Sequence, residues 1–155
     1  MKTAFIIFLI LIVGFVILLY NAQKSSRAEV ASGLVGGKLS KCPDKPNCVS
    51  SEDIDDSSHY ITPLIITKNN TIDIVKILKN VIREMGGAIE AERENYIAAT
   101  FTSKVFKFVD DLEIRIDPIQ KVIHIRSASR VGHGDMGVNK KRIELLKKLF
   151  NKQSS

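Results

Sequence analysis

The sequence has no tryptophan, two cysteines, three histidines and four prolines in 155 residues. Aromatics make up only 6% of the chain, and few of them interleave with the basic residues. This argues against a stacking platform for nucleic acid, because successive bases need aromatic faces. Two cysteines are too few for a cysteine-rich zinc site, and five intervening residues separate them, so they form no CxxC redox pair. No EF-hand, HExxH or nucleophile-elbow pattern occurs, and no internal repeat.

One long apolar run is present. Ala4 to Tyr20 carry no charge, and at about 1.5 Å per residue they cover most of a hydrocarbon layer roughly 30 Å thick. Residues 1–21 are therefore read as a transmembrane anchor. Cleaved signal peptides have shorter apolar stretches and a small-x-small site close behind, whereas Tyr20-Asn21-Ala22 is a poor site and Val30-Ala31-Ser32 lies far downstream. A cleaved signal and a buried core helix are the alternatives. Lys2 on one flank, against Lys24, Arg27 and Lys38 on the other, would by charge count keep the domain in the cytoplasm. Long C-terminal domains translocate largely regardless of that count, and the cysteines point outward. Both sit in Cys42-Pro43-Asp44-Lys45-Pro46-Asn47-Cys48, which suits a small disulfide ring in an oxidising compartment; free thiols and thiol or metal chemistry are the alternatives. The expectation is a cell-envelope protein with its domain on the extracytoplasmic, periplasmic side.

The formal net charge is +6, with much of the basic excess in Lys140, Lys141, Arg142, Lys147, Lys148 and Lys152. An anionic membrane surface is a fitting partner for a tethered cationic helix, and a merely solvated face is the simpler reading. No nucleic-acid partner is expected.

Residues 22–58 are polar, glycine-containing and acidic in turn, without periodicity, and read as a tether carrying the Cys42/Cys48 segment. The fold is expected over 59–152. Tyr60 to Thr67 is β-rich but carries Pro63, which suits an edge strand. A helix follows from a capping-box-like Asn70 and Asp73, with Ile74, Leu78, Val81, Ile82 and Met85 on its apolar stripe and Gly86-Gly87 as its stop. Ala88–Glu92 and Tyr96–Thr102 form a hairpin. Asp111 to Asp117 alternates apolar and charged residues without exception and pairs with Val122 to Ser129. A loop at Pro118 to Lys121 sets Ile116 opposite Ile123, Ile114 opposite Ile125, Glu113 opposite Arg126 and Arg115 opposite His124. The last helix starts at Asn139 as N-cap and buries Ile143, Leu146, Leu149 and Phe150. The fold class is α+β: a mainly antiparallel five-stranded sheet with two helices on one face, in the order β-α-β-β-β-β-α, after one N-terminal transmembrane helix. By element order alone this resembles the TATA-binding-protein-like fold, which implies nothing about function.

Such a sheet leaves an open polar face carrying Asp111, Glu113, Arg115, His124 and Arg126. Arg126 and Arg130 would clamp a phosphate or carboxylate, assisted by Ser127, Ser129, Asp135 and the helix start at Asn139, with Asp110, Asp111, Glu113 and Arg142 in support. Alternation sends Ser127 and Ser129 to the face opposite Arg126, so all of them meet only if the strand bulges. Asp110, Asp111, His133 and Asp135 form a weak metal set, since Asp135 between Gly134 and Gly137 is as easily a turn or cap residue. Ser127 or Ser129 with His124 or His133 and Asp110 supplies triad residue types without a motif.

Four phrases make the chain recognisable: Cys42-Pro-Asp-Lys-Pro-Asn-Cys-Val-Ser-Ser51, Tyr96-Ile-Ala-Ala-Thr-Phe-Thr-Ser103, Phe106-Lys-Phe-Val-Asp-Asp-Leu-Glu113 and Arg126-Ser-Ala-Ser-Arg-Val-Gly-His-Gly-Asp-Met-Gly-Val-Asn-Lys-Lys-Arg142. In the same order they resemble domain-of-unknown-function family 1499, from about Leu39 to near Phe150. The resemblance implies a bacterial or plastid protein, often membrane-linked or exported, with no activity to carry over. It departs at His133, where the family more often has an aromatic. The functional expectation is a membrane-anchored, non-enzymatic module for an anionic ligand, lipid head group or protein partner, with no cofactor. The alternatives are a metal-assisted hydrolase using Asp110 or Asp111 with His133 and Asp135, and a purely structural envelope protein.

Overall fold

A computed structural model describes residues 2–66 and 71–154. Helix α1 (Lys2–Ala28) takes in the whole apolar run. With a mean hydropathy of 3.0 over its most apolar window, none of it buried against the rest of the protein, it is long and apolar enough to cross a membrane. The absence of burial removes the core-helix alternative. After it come β1 (Leu34–Val35), β2 (Lys38–Leu39), β3 (Cys48–Ser50), β4 (Leu64–Ile65), α2 (Thr71–Glu84), β5 (Ala88–Arg93), β6 (Tyr96–Thr102), β7 (Val109–Asp117), β8 (Val122–Ser129) and α3 (Val138–Ser154).

The main sheet is antiparallel in the order β3-β8-β7-β6-β5, and β4 pairs with the other end of the β8 edge that β3 occupies. It is an α+β fold, with six strands in this sheet where the sequence suggested five. The additional strand is β3, inside the segment read as tether: Cys48 pairs with Ala128 and Ser50 with Arg126. The edge strand expected over Tyr60 to Thr67 is cut to Leu64–Ile65, directly after Pro63, which cannot donate to a ladder. Thr67 and the expected helix cap Asn70 lie outside the described residues.

The β7–β8 hairpin has the register that alternation implies, with Glu113 opposite Arg126, Ile114 opposite Ile125 and Ile116 opposite Ile123. A one-residue slip would turn these isoleucines to the polar side, so burial fixes the pairing. Leu112, Ile114, Ile116, Ile123 and Ile125 meet Ile74, Leu78, Val81 and Ile82 of α2 and Ile143, Leu146 and Phe150 of α3 in one core. Each fully buried isoleucine or leucine stabilises the fold by roughly 1.5–3 kcal/mol. Gly86, at φ +84°, ends α2 by taking the left-handed conformation that other residues resist. Both packed helices thus lie on one face, and the other face carries the charged residues.

Candidate functional site

Ion pairs cover the polar face. Arg126 Nη1 donates to Glu113 Oε2 at 2.7 Å, Arg130 Nη2 to Asp111 Oδ1 at 2.8 Å, and Arg115 Nε to Glu52 Oε1 at 2.8 Å. Glu113 is fully buried, and Arg126 and Asp111 are each 5% exposed. Alternation along β7 and β8 put Asp111, Glu113, Arg115 and Arg126 on one face, as the sequence implied, whereas Glu52 comes from the loop after β3, in the segment read as tether. The expectation of an open face fails, because residues 29–41 cross it. Gly33 donates its N–H to Glu113 Oε1 at 2.7 Å, Ser40 donates its hydroxyl to Gly33 O at 3.1 Å, and Leu39 is buried with Tyr96 and Ala98. The strap begins where α1 ends. Ser26 is fully buried, its hydroxyl accepts from Val109 N at 2.8 Å, and its carbonyl accepts from Arg130 Nη1 at 3.2 Å.

Desolvated charges persist only where they are paired and hydrogen-bonded. Glu113 meets that condition with three donors: Arg126, Gly33 and Tyr96, whose hydroxyl donates at 2.8 Å. Burial, then the Glu113 carboxylate, pushes the Tyr96 hydroxyl well above its ordinary pKa. The hydrogen bonds that Arg130 donates to Asp111 outweigh burial and raise the Arg130 pKa. Arg126 Nε is buried without a hydrogen-bond partner among the described residues. Arg126 and Arg130 are therefore committed to carboxylates.

The serines lie on the helix side of the same strand. Ser127 donates to Asn139 Oδ1 at 2.6 Å, Asn139 Nδ2 donates to Ser129 Oγ at 3.0 Å and to Asn47 O at 2.9 Å, and Arg142 donates to Asp110 Oδ2 at 2.6 Å and Ser127 Oγ at 3.0 Å. The Arg142 guanidinium also lies 4.7 Å over the Phe101 ring. Asn139 is not the cap of α3. It is 1% exposed inside the helix, and Asp135 caps instead, accepting from Gly137 N at 2.9 Å and Asn139 N at 2.7 Å. The expected clamp is thereby split: Arg126 and Arg130 lie on one side of the sheet, Ser127, Ser129 and Asn139 on the other, and Asp135 is in the turn.

The metal set does not converge either. Asp110 and Asp111 point to opposite faces, Asp135 caps a helix, and His133 is exposed in the loop between β8 and α3. Among the described residues no group of three histidine, cysteine, aspartate or glutamate side chains could hold an ion. His124 is accounted for by Ser51 Oγ, 3.4 Å from Nδ1, and burial lowers its pKa against the pull of Glu52.

Outside these networks, Cys42 and Cys48 form a disulfide. His59 locks the ring onto the following loop, with Nδ1 2.5 Å from Asp56 Oδ2 and Nε2 2.9 Å from Lys45 O. Both neighbours are acceptors and so favour the protonated ring. Burial works against its charge, and Asp56 and the Lys45 carbonyl outweigh burial and raise its pKa.

One part of the polar face stays accessible. Between the last turn of α1, the start of the strap and strands β5 and β6 lies a cleft of about 660 Å³. Ala91, Ala98, Thr100 and Thr102 line it, and their short side chains leave the space that the strap does not fill. Tyr96, Asp111 and Arg130 border it, as do Arg27, Arg93, Glu29 and Glu90. Among the described residues Arg27 and Arg93 form no ion pair. Sequence reasoning missed this pair as site residues. They lie 66 positions apart, one behind the apolar run and one in a hairpin, and neither belongs to a motif.

An anchor-like helix joined to a disulfide-bearing α+β domain, with a buried ladder of arginine–carboxylate pairs, defines the class. Residues 38–150 match the family described as protein of unknown function (DUF1499), and the chain belongs to that family. No curated protein and no solved structure matches it.

Proposed function

We propose that the protein is a single-pass, membrane-anchored binding module without catalytic activity, with its domain on the extracytoplasmic side. Its ligand is an amphiphile bearing an anionic group. Arg27 and Arg93 receive the anion, and the apolar portion lies against Ala91 and Ala98. The observation that carries this reading is the cleft. Its volume falls within the roughly 300–1,000 Å³ of small-molecule sites, and its lining mixes small apolar walls with a few polar groups. Two of those groups are guanidinium ions that no carboxylate among the described residues holds. Arg126 and Arg130 act as structural members of this site, keeping the face beside it rigid. The disulfide supports the choice of side, since such bonds persist in oxidising compartments.

The test uses full-length protein in a neutral detergent with phosphatidylglycerol as probe, read by native mass spectrometry. The parent and Lys148→Glu, on the exposed side of α3, retain the lipid, whereas Arg93→Glu and Thr100→Trp lose most of it. Equal retention by all four proteins, or none by the parent, overturns the reading.

A further inference from the structure

The loop joining β6 to β7 carries an apolar tip that stays largely exposed. Val105 is 79% exposed and Phe106 is 51% exposed, with exposed Lys104 and Lys107 on either side. The loop is not loose. Ser103 N donates to Phe108 O at 2.8 Å, Phe108 N donates to Ser103 Oγ at 2.9 Å, and the Phe106 and Phe108 rings stack with centroids 5.9 Å apart. Lys107 is held at φ +54°, a conformation that costs a non-glycine residue energy and persists only where its surroundings impose it.

Two hydrogen bonds place this tip along α1. Ser26 bonds to Val109 at 2.8 Å, and Gln23 Nε2 donates to Phe106 O at 3.3 Å. One step of three residues down the helix, toward its apolar run, is matched by a step of three residues down the strand into the loop. Phe106 is thus level with Gln23. Tyr20, the last residue of the apolar run, lies three residues further down, or about 4.5 Å. The polar layer flanking a roughly 30 Å hydrocarbon core is about 5–7 Å deep on each side. If α1 spans the bilayer up to Tyr20, then Gln23 and the loop tip sit within the head groups.

We infer that the Lys104–Lys107 tip is a membrane-docking loop: Val105 and Phe106 insert into the interface of the bilayer that holds α1, and Lys104 and Lys107 pair with its anionic head groups. Exposed aromatic and aliphatic side chains flanked by lysines have the chemistry of an interfacial anchor, and Lys24 and Arg27 on the adjacent helix turns extend the same cationic collar. The membrane is a second contact for the domain, in addition to α1. The inference rests on the anchor reading and not on the cleft.

Because the chain has no tryptophan, a single substitution reports from one place. Full-length Tyr20→Trp, Phe106→Trp and Ile119→Trp proteins are reconstituted into vesicles of phosphatidylcholine and phosphatidylglycerol containing brominated lipid. Ile119 is 92% exposed, at the far end of the nine-residue strand β7. The expected result is quenching and blue-shifted emission for Tyr20→Trp and Phe106→Trp, and neither for Ile119→Trp. Adding Lys104→Glu and Lys107→Glu to Phe106→Trp reduces its quenching in these vesicles and leaves it unchanged in pure phosphatidylcholine. Quenching of Tyr20→Trp without Phe106→Trp overturns the docking loop and leaves the anchor standing. No quenching of Tyr20→Trp overturns the anchor reading and this inference with it.

Discussion

Asp110 and Asp111, neighbours on β7, send their carboxylates to opposite faces of the sheet, Asp110 to Arg142 at 2.6 Å and Asp111 to Arg130 at 2.8 Å. Two adjacent acids that would read as a chelating pair therefore fasten two different layers. Asp110 ties α3 to the sheet, and Asp111 holds the arginine that reaches the end of α1.

The buried pair of Glu113 and Arg126 gives the sharpest stability prediction. Arg126→Ala strands a fully buried carboxylate, and breaking such a pair costs about 3–5 kcal/mol. Denaturant unfolding of the variant should show that loss. A loss below about 1 kcal/mol would mean that the pair is solvated and the strap does not seal it.

Leu39 tests the strap itself. It is buried against Tyr96 and Ala98, so Leu39→Ala should destabilise by about 2–3 kcal/mol, at the low end for a core truncation because the cluster is small. Limited trypsin digestion should then cut at Lys38 and Lys41 at least several-fold faster than in the parent. Unchanged digestion would show that the segment is held by other contacts.

A Cβ added at Gly87 would stand 2.6 Å from the Phe101 ring and 2.9 Å from Ile82. Gly87→Ala must therefore displace Phe101, the ring beneath Arg142, at a cost of about 1–3 kcal/mol. Combining it with Phe101→Leu should recover part of that cost. A double variant no more stable than Gly87→Ala would locate the strain elsewhere.

Replacing both Cys42 and Cys48 by serine removes a short cross-link, six positions apart, and should cost about 2 kcal/mol by loop-closure entropy. Thermal melts of the double variant check the cost. Alkylation before and after reduction checks that the parent's thiols are oxidised.

His59 and His124 should respond to pH in opposite directions. The His59 pKa is raised above the ordinary 6.5, so the folded state binds its proton more tightly. Its contribution is full below 6.5 and is lost as pH rises through the folded value. The His124 pKa is lowered, so its contribution is present above 6.5 and lost as pH falls through that value toward the folded one. His59→Gln should flatten the alkaline decline of stability, and His124→Gln the acidic one. Chemical denaturation from pH 5 to 8.5 measures both, and identical profiles for the two variants would contradict the assignment.

The layer that packs was legible in the sequence because a single strand was unambiguous. The alternation from Asp111 to Asp117 fixed the side chains of β7, and the loop after it fixed the register of β8 down to Glu113 against Arg126. The same alternation warned that Ser127 could not join Arg126. The cover over the polar face was not legible. Residues 29–41 have no periodicity, and what holds them is tertiary: a glycine N–H offered to Glu113, and one leucine finding Tyr96. Asn139 misled for a related reason. An asparagine before a helical stripe has the look of a cap, but Asp135, placed by the turn at Met136 and Gly137, reached the free N–H groups first.

Ser26, sealed between helix and sheet, removes the swivel that an unstructured leash would supply. A head clamped at its neck cannot sweep the space around it, so whatever meets this protein must arrive at a set height and bearing. If α1 is embedded in a lipid layer, a companion in that layer would find only one flank turned toward it.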